Sequence, residues 1–439
     1  MSATAVILAA GFGSRMKSSL PKTLHPIAGQ PMLRLLLDSC SAVFDRIVVV
    51  IGPDMPAVEA VSAPHAVVVQ HQRSGTAHAA LQASPLFGDG EVAVLYADNP
   101  LIKPATLRRL IDRRRIGDAG LVLLAMRPTD PLRYGRLIGT GDDIERVVEY
   151  ADATAEERAV TLCNAGVLCA PAVQMIDWLQ RVRCDNAQGE YYLTDLVALA
   201  RGDGSRVVAI EAPAEELRGI NSRAELAAAE ATVQGWLRAA ALEAGVTMIA
   251  PETVYLSVDT QLAADVSIEP HVVFGPGVRV DRDVRIRAFS HLEGCHVGEG
   301  ASIGPYARLR PGTVVGVKAH VGNFVELKAT NLGAGAKANH LSYLGDAEIG
   351  AGSNVGAGTI TCNYDGFDKH RTSIGAGAFI GSNATLVAPV RLGDGAFVAA
   401  GSVITADVSP DAMAFGRARQ DEKPGRAASF RAGRKRGKD

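Results

Sequence analysis

A six-residue period in the second half of this chain limits most strongly what it can fold into. Val297, Ile303, Leu309, Val315, Val321 and Leu327 form one unbroken apolar series. Ile374, Ile380, Leu386, Leu392, Val398 and Ile404 form a second. That spacing matches neither the turn of an α-helix, about 3.6 residues, nor the two-residue alternation of a strand. It fits a parallel β-solenoid in which each hexad makes one flat side and turns at a small residue. Glycine often follows the apolar position, as in Val297-Gly298, Ile303-Gly304, Val321-Gly322, Ile349-Gly350 and Ile380-Gly381. The stretch TITCNYDGFDKHRTS, Thr359 to Ser373, has no apolar hexad and is expected to loop out of the coil. The tail, 420–439, is polar, basic and unpatterned, so disorder is expected there.

The first half has a different texture. AVILAAG, RIVVVIG, AVVVQ, VAVLYAD and LVLLAM are continuous apolar runs of the kind buried on both faces of a parallel sheet. Between them, MLRLLLDSCSAV and TAHAALQASPL carry helical spacing, which predicts an open α/β sheet with helices on both sides. RAELAAAEATVQGWLRAAALEA is rich in helix formers behind a capping Ser222. The expected plan is a first domain over 1–222, a linker helix over 223–244 and a solenoid domain over 245–419. A length of 439 residues agrees with more than one core.

The bulk composition excludes several partners. A formal charge of −2 supplies no general field for nucleic acid. No apolar run approaches the roughly 18–20 residues that span a bilayer, and the start lacks the basic region of a secretory signal. The six cysteines are scattered without a C-x-x-C pair, which reads as reduced thiols in a cytoplasmic protein. No nucleic-acid partner and no membrane insertion are expected.

The stretch AVILAAGFGSRM points to local phosphate recognition. Its strand ends at Ala9, so AAGFGSR lies at a carboxyl end, where open α/β sheets place their ligands. Gly11 and Gly13 let backbone N–H groups approach phosphate oxygens, and Arg15 adds a forked cation. The third glycine of a dinucleotide fingerprint is missing, and so is the Walker pattern.

LAAGFGSRMKSSLPKTL, with Lys22 in a Pro-Lys-x-Leu, resembles the signature of the sugar-1-phosphate nucleotidyltransferases. Further matches follow in that family's order: Gln70 to Ala79, Tyr96 to Asp98, Tyr134 to Arg136, VVEYADA with Glu149, CNAGV with Asn164, NAQGEYYLTD from Asn186 to Asp195, and GINSR with Asn221. Up to about Arg419 the chain resembles the bacterial family that joins a UDP-N-acetylglucosamine pyrophosphorylase to a glucosamine-1-phosphate N-acetyltransferase. The resemblance implies a Rossmann-like nucleotidyltransferase domain followed by a left-handed parallel β-helix. It implies that Leu8, Ala9, Ala10, Gly11, Gln70, Gly75 and Thr76 contact the uridine nucleotide, with Tyr96, Ala97 and Asp98 beside them. Gly135, Glu149 and Asn164 would contact the sugar. Asp98 and Asn221 would hold Mg²⁺, and Arg15 and Lys22 are the local cations of the reaction. Three positions depart from the family pattern: Ala97 stands for a glycine, Ala165 for a threonine and Ala151 for a lysine. These bear on substrate affinity.

The solenoid half also matches this family. Acetyl transfer to an amino sugar needs the amine unprotonated, and histidine suits that base role. The resemblance makes His340 the base, with Glu326 as its expected orienting partner. Arg310 and Lys328 would hold the sugar phosphate, and Tyr343 and Asn354 the hydroxyls. Ala357, Asn363, Tyr364, Ser382, Ala400 and Arg417 would contact acetyl-CoA, with Lys369 on the looped-out segment. The family's solenoids trimerise, so a homotrimer is expected. The implied function is acetylation of glucosamine 1-phosphate, then coupling of N-acetylglucosamine 1-phosphate to UTP with release of pyrophosphate. The product feeds peptidoglycan and lipopolysaccharide synthesis in bacteria. The competing reading is a nucleotidyltransferase whose solenoid only oligomerises or regulates. Loss of His340, Tyr343 and Asn363 would mark that class, and all three are present.

Overall fold

A computed structural model describes residues 2–131, 134–186 and 189–435. It divides into two compact units, Met1–Leu237 and Arg238–Asp439. The division falls inside the helix Arg223–Glu243.

The first unit is built on a nine-stranded sheet. Its order is Ala66–Val69, Arg46–Ile51, Ala3–Leu8, Glu91–Tyr96, Cys163–Pro171, Leu121–Met126, Val207–Glu211, Asp143–Val148, Arg136–Thr140. The five apolar runs all become strands, but the sheet is mixed rather than parallel. Cys163–Pro171 runs antiparallel between Glu91–Tyr96 and Leu121–Met126. The chain reaches it through the antiparallel hairpin Arg136–Thr140 and Asp143–Val148, so the helical crossover that enforces parallel entry is missing.

Neighbouring strand residues point into opposite layers. Ile7, Val49 and Leu95 pack with Leu33, Leu37 and Leu107 from helices Met32–Ser41 and Pro104–Arg115. Val6, Val48 and Val94 pack on the other face with Ala80, Met175 and Leu196. Both sheet faces are therefore covered, and the carboxyl ends of the strands are left to form a site.

The second unit is a three-sided solenoid with sheets of ten, eight and eight strands. Along most of the solenoid a strand residue pairs in parallel with one 17 or 18 positions on, as Lys337 with Asn354 and Ser302 with His320. Three hexads thus make one coil. Every residue of the two apolar series is at most 5% exposed, so the period marks the inward positions. One coil is longer, pairing Asn354 with Phe379. The excess leaves the coil at 363–371, a narrower loop than 359–373, because Ile360–Cys362 and Thr372–Ile374 remain strands. Thr361 stands inward where an apolar residue is usual and exchanges hydrogen bonds with the Gly345 N–H and C=O, at 2.8 and 3.1 Å. That substitution hid the hexad.

The tail departs from the expected disorder, since Arg426–Lys435 is helical. Alanine and arginine favour a helix locally, and exposure along Arg426–Arg434 shows that no packing is required. Residues 436–439 of that tail lie outside the described residues. Among the described residues no helix is long and apolar enough to cross a membrane. All six cysteines are unpaired.

Candidate active sites

A cavity of about 270 Å³ opens where the strands Ala3–Leu8 and Glu91–Tyr96 end. Leu8 to Gly11, Lys22, Gln70, Gly75, Thr76 and Tyr96 to Asp98 all line it. Four expected residues converge at its charged end. The Lys22 ammonium donates to Asp98 Oδ2 at 2.6 Å and to Asn221 Oδ1 at 2.9 Å. Arg15 Nη2 donates to the same Asn221 oxygen at 2.9 Å. Gly13 makes this closure possible: its φ is +71°, and a Cβ there would stand 2.5 Å from Lys22 Cβ. Asp98 and Asn221 are tied by the Ile220 N–H to the Asp98 carbonyl at 2.8 Å.

The oxygens of Asp98 and Asn221 therefore converge on a single cationic nitrogen. Two hard donors so placed fit a divalent ion such as Mg²⁺ that completes its shell with phosphate and water. No group of three or more acidic, histidine or cysteine side chains forms a metal cage among the described residues.

Away from the charges, Gln70 is buried at 3% exposure. Its Nε2 donates to the Gly75 carbonyl at 3.1 Å and lies 3.1 Å from His78 Nδ1. With Nε2 turned to the Gly75 carbonyl, Oε1 is the acceptor this side chain offers a ligand. Gly75 has φ +112°, and a Cβ there would strike the Tyr191 backbone, 2.5 Å from its carbonyl oxygen. Burial, with smaller contributions from Asp98 and Glu149, pushes the Tyr96 phenol up to about 12, so it stays protonated.

Thr76 and Tyr96 also line a second cavity, of about 630 Å³, together with Glu149, Ala151 and Thr194. The three expected sugar residues meet beside it. A Cβ at Gly135 would stand 3.6 Å from both Glu149 carboxylate oxygens, and the Asn164 N–H donates to the Gly135 carbonyl at 2.8 Å. Burial first, then the charges of Asp152 and Asp195, raise the Glu149 carboxyl above its ordinary range against a smaller opposing bond from Thr194. The folded state then binds a proton that the unfolded state releases, so stability falls as pH rises through that window. Glu149→Gln should raise the melting temperature at about pH 8 and leave it unchanged near pH 4, where both states are protonated. A gain of equal size at both pH values would refute a titrating Glu149.

Thr23, Arg73 and Glu190 also line the first cavity, although no role is read from the motifs for any of them. Glu190 lies in the quoted NAQGEYYLTD, of which Ala187 and Gln188 are outside the described residues. Arg73 carried no motif signal.

On the solenoid, the expected residues stand on two edges of one face. Lys328 ends, and Arg310 and Asn363 follow, strands of the same eight-stranded sheet. Lys328 Nζ lies 3.2 Å from Asp346 Oδ2, and Asn363 Nδ2 donates to that oxygen at 2.5 Å. Burial pushes the Asp346 carboxyl up, but these bonds and the charges of Lys328 and Lys369 outweigh it and hold it below the usual range. A bridge from Tyr364 to Lys369 closes the looped-out segment. Tyr343 and Glu326 are register partners on the face between the edges.

His340 ends the strand Lys337–His340 on the other edge. Its partner is Asn323, not Glu326: Nδ1 donates to Asn323 Oδ1 at 2.6 Å. Register explains the correction, because Asn323 is the ladder neighbour of His340 while Glu326 faces Tyr343. Glu326 pairs instead with Arg310 at 2.9 Å and Arg308 at 3.8 Å. Ala357, Ser382, Ala400 and Arg417 continue the His340 edge, each following a strand of the ten-stranded sheet. Asn354 aligns with Lys337, three residues along the strand from His340, and is thereby set apart from it.

A family model described as a MobA-like NTP transferase domain matches residues 5–138. One described as a hexapeptide repeat of succinyl-transferase matches residues 371–406. The bifunctional protein GlmU of Gluconacetobacter diazotrophicus is 68% identical over 100% of this chain and 96% of its own. That of Acidiphilium cryptum is 65% identical over 98% of each. That of Granulibacter bethesdensis is 65% identical over 98% of this chain and 96% of its own. A solved structure of UDP-glucose pyrophosphorylase complexed with UDP-glucose, 18% identical, covers 54% of this chain and 100% of its own with a TM-score of 0.46.

Proposed function

This chain belongs to the bifunctional GlmU family, and on that premise we propose how its residues divide the work. The protein is an acetyltransferase and a uridylyltransferase that together produce UDP-N-acetylglucosamine, a precursor for the bacterial cell wall.

In uridylyl transfer, a phosphate oxygen of N-acetylglucosamine 1-phosphate attacks the α-phosphorus of UTP. The new O–P bond forms as the bond to the β-phosphate breaks, and pyrophosphate leaves. Two anions must meet, so positioning and neutralisation dominate. Arg15 and Lys22 supply fixed cations, Gln70 and Thr76 hold the nucleotide, and Gly135, Glu149 and Asn164 orient the sugar. Asp98 and Asn221 would hold Mg²⁺, which supplies further neutralisation of the phosphates. The observation that carries this reading is the convergence of Arg15, Lys22, Asp98 and Asn221 on one point.

In acetyl transfer, His340 Nε2 takes a proton from the amine of glucosamine 1-phosphate as the nitrogen attacks the thioester carbonyl. The C–N bond forms, the C–S bond breaks and the thiol of coenzyme A leaves. Arg310 and Lys328 clamp the phosphate, while Ala357, Ser382, Ala400 and Arg417 run along the same edge as the base and suit an extended cofactor. A homotrimer is supported by a row of stacked rings on that edge, His271, Phe289, Tyr306 and Phe324, at centroid spacings of 5.0, 4.9 and 5.2 Å. Three of these rings are about half exposed, a patch that another copy would cover. Six unpaired cysteines support a cytoplasmic setting.

The test is to incubate the purified chain with glucosamine 1-phosphate, acetyl-CoA, UTP and Mg²⁺, following free thiol and pyrophosphate separately. Both should appear, with pyrophosphate dependent on the acetyl donor. Pyrophosphate from N-acetylglucosamine 1-phosphate, with no thiol released when glucosamine 1-phosphate and acetyl-CoA are supplied, would reduce the solenoid to an assembly module.

A further inference from the structure

Arg73 lies in the connection between the strand Ala66–Val69 and the helix Thr76–Gln82 and lines the same cavity as Lys22 and Asp98. Two contacts hold it against the glycine loop. Its Nε donates to the Ala10 carbonyl at 2.9 Å, and its guanidinium carbon sits 4.1 Å from the centre of the Phe12 ring. Ala10 and Phe12 flank Gly11, so the guanidinium plane is fixed beside the loop read as the phosphate cradle. Gly52 leaves the necessary room, since a Cβ there would stand 2.4 Å from Nη2.

The Ala10 bond uses one N–H of the fork, and among the described residues no other donor of Arg73 has a protein acceptor. A guanidinium has five donors, so the remaining ones are available in a planar array suited to paired phosphate oxygens. The lining of the cavity also needs the charge. Its charged side chains are the cations Lys22 and Arg73 and the carboxylates Asp98 and Glu190. Without Arg73 that lining would hold one cation against two carboxylates, with Arg15 beside it as the one further cation to meet a polyphosphate.

We infer that Arg73 is a binding residue for the triphosphate tail of the nucleotide, stacked on Phe12 to aim its free N–H groups at phosphate oxygens. The inference rests on the reading that this cavity takes UTP. A loop latch, the plain structural role for such an arginine, would hold the glycine loop in place for every ligand alike. A phosphate contact acts in proportion to the phosphates present.

Arg73→Gln and Arg73→Lys in the full chain separate these roles when the dissociation constants of UTP and of uridine are compared. The glutamine variant should weaken UTP by roughly tenfold to a hundredfold, the range for a lost charged hydrogen bond, and shift uridine by less than about twofold. The lysine variant should recover part of the loss, and added salt should shrink the difference between variant and parent. Equal weakening of UTP and uridine, or unchanged UTP binding, would overturn the assignment. The melting transition of the first unit reports whether each variant is folded, and Arg73→Lys carries the comparison if the glutamine variant is not. Gln70→Leu separates the two levels of failure. If it weakens UTP and uridine while Arg73→Gln weakens neither, only the Arg73 assignment falls; if Gln70→Leu also changes nothing, the cavity is not the nucleotide site.

Discussion

Acetyl transfer should fall by about 10²–10⁴-fold in His340→Ala, the range for loss of a general base, with uridylyl transfer unchanged. The hydrogen bond from Nδ1 to Asn323 Oδ1 requires the ring proton on Nδ1, which leaves the lone pair on Nε2 to accept the substrate's proton. The phosphate clamp stands on the opposite edge of the face, so apparent affinity for glucosamine 1-phosphate should change far less than turnover. Raising the pH should partly rescue the variant, because more of the amine is then free without help. His340 is exposed, so truncating it removes no core packing. A purely structural role predicts the opposite pattern, a lowered melting temperature with nearly normal turnover per folded site. Measuring both rates and the melting temperature on this one variant decides between them.

Asp98→Asn should lower uridylyl transfer by something like 10²–10³-fold, the scale on which lost electrostatic stabilisation of a transition state is felt. The substitution keeps the side chain's shape and removes one charge from the paired oxygens that face Lys22. Raising Mg²⁺ should recover part of the rate, and direct titration with Mn²⁺ in the presence of UTP should show weakened metal binding. The solenoid unit has its own core, so acetyl transfer should persist at the parent rate. Equal damage to both activities would mean misfolding. An unchanged uridylyl rate would remove Asp98 from the metal site.

The solenoid was legible because its signal is redundant: one inward residue per hexad, repeated, with each of those positions buried. Reading failed locally at Thr361, where a hydroxyl bonded to Gly345 takes the inward place and hides the hexad. The α/β half was legible at the level of its apolar runs, since a strand buried on both faces must be apolar throughout. Strand direction was not, and the antiparallel Cys163–Pro171 has the same apolar look as its neighbours.

The nucleotide site shows the same boundary. Residues in motif order, from Leu8 to Asn221, reach one end of the sheet because each follows or precedes an element whose ending the sequence marks. Local pattern therefore determined the two architectures and the glycine loop, while the resemblance in motif order named most lining residues. Tertiary structure alone decided which side chain meets which. Asn323 and Glu326 lie on the coil before His340, and register gives the histidine to the first. Arg73 becomes part of the site because the fold brings Ala10 and Phe12 against it, across a separation of 63 residues from Ala10. A hydrophobic period is a property of one segment, whereas a hydrogen bond or a cation stack depends on two segments that only the folded chain brings together.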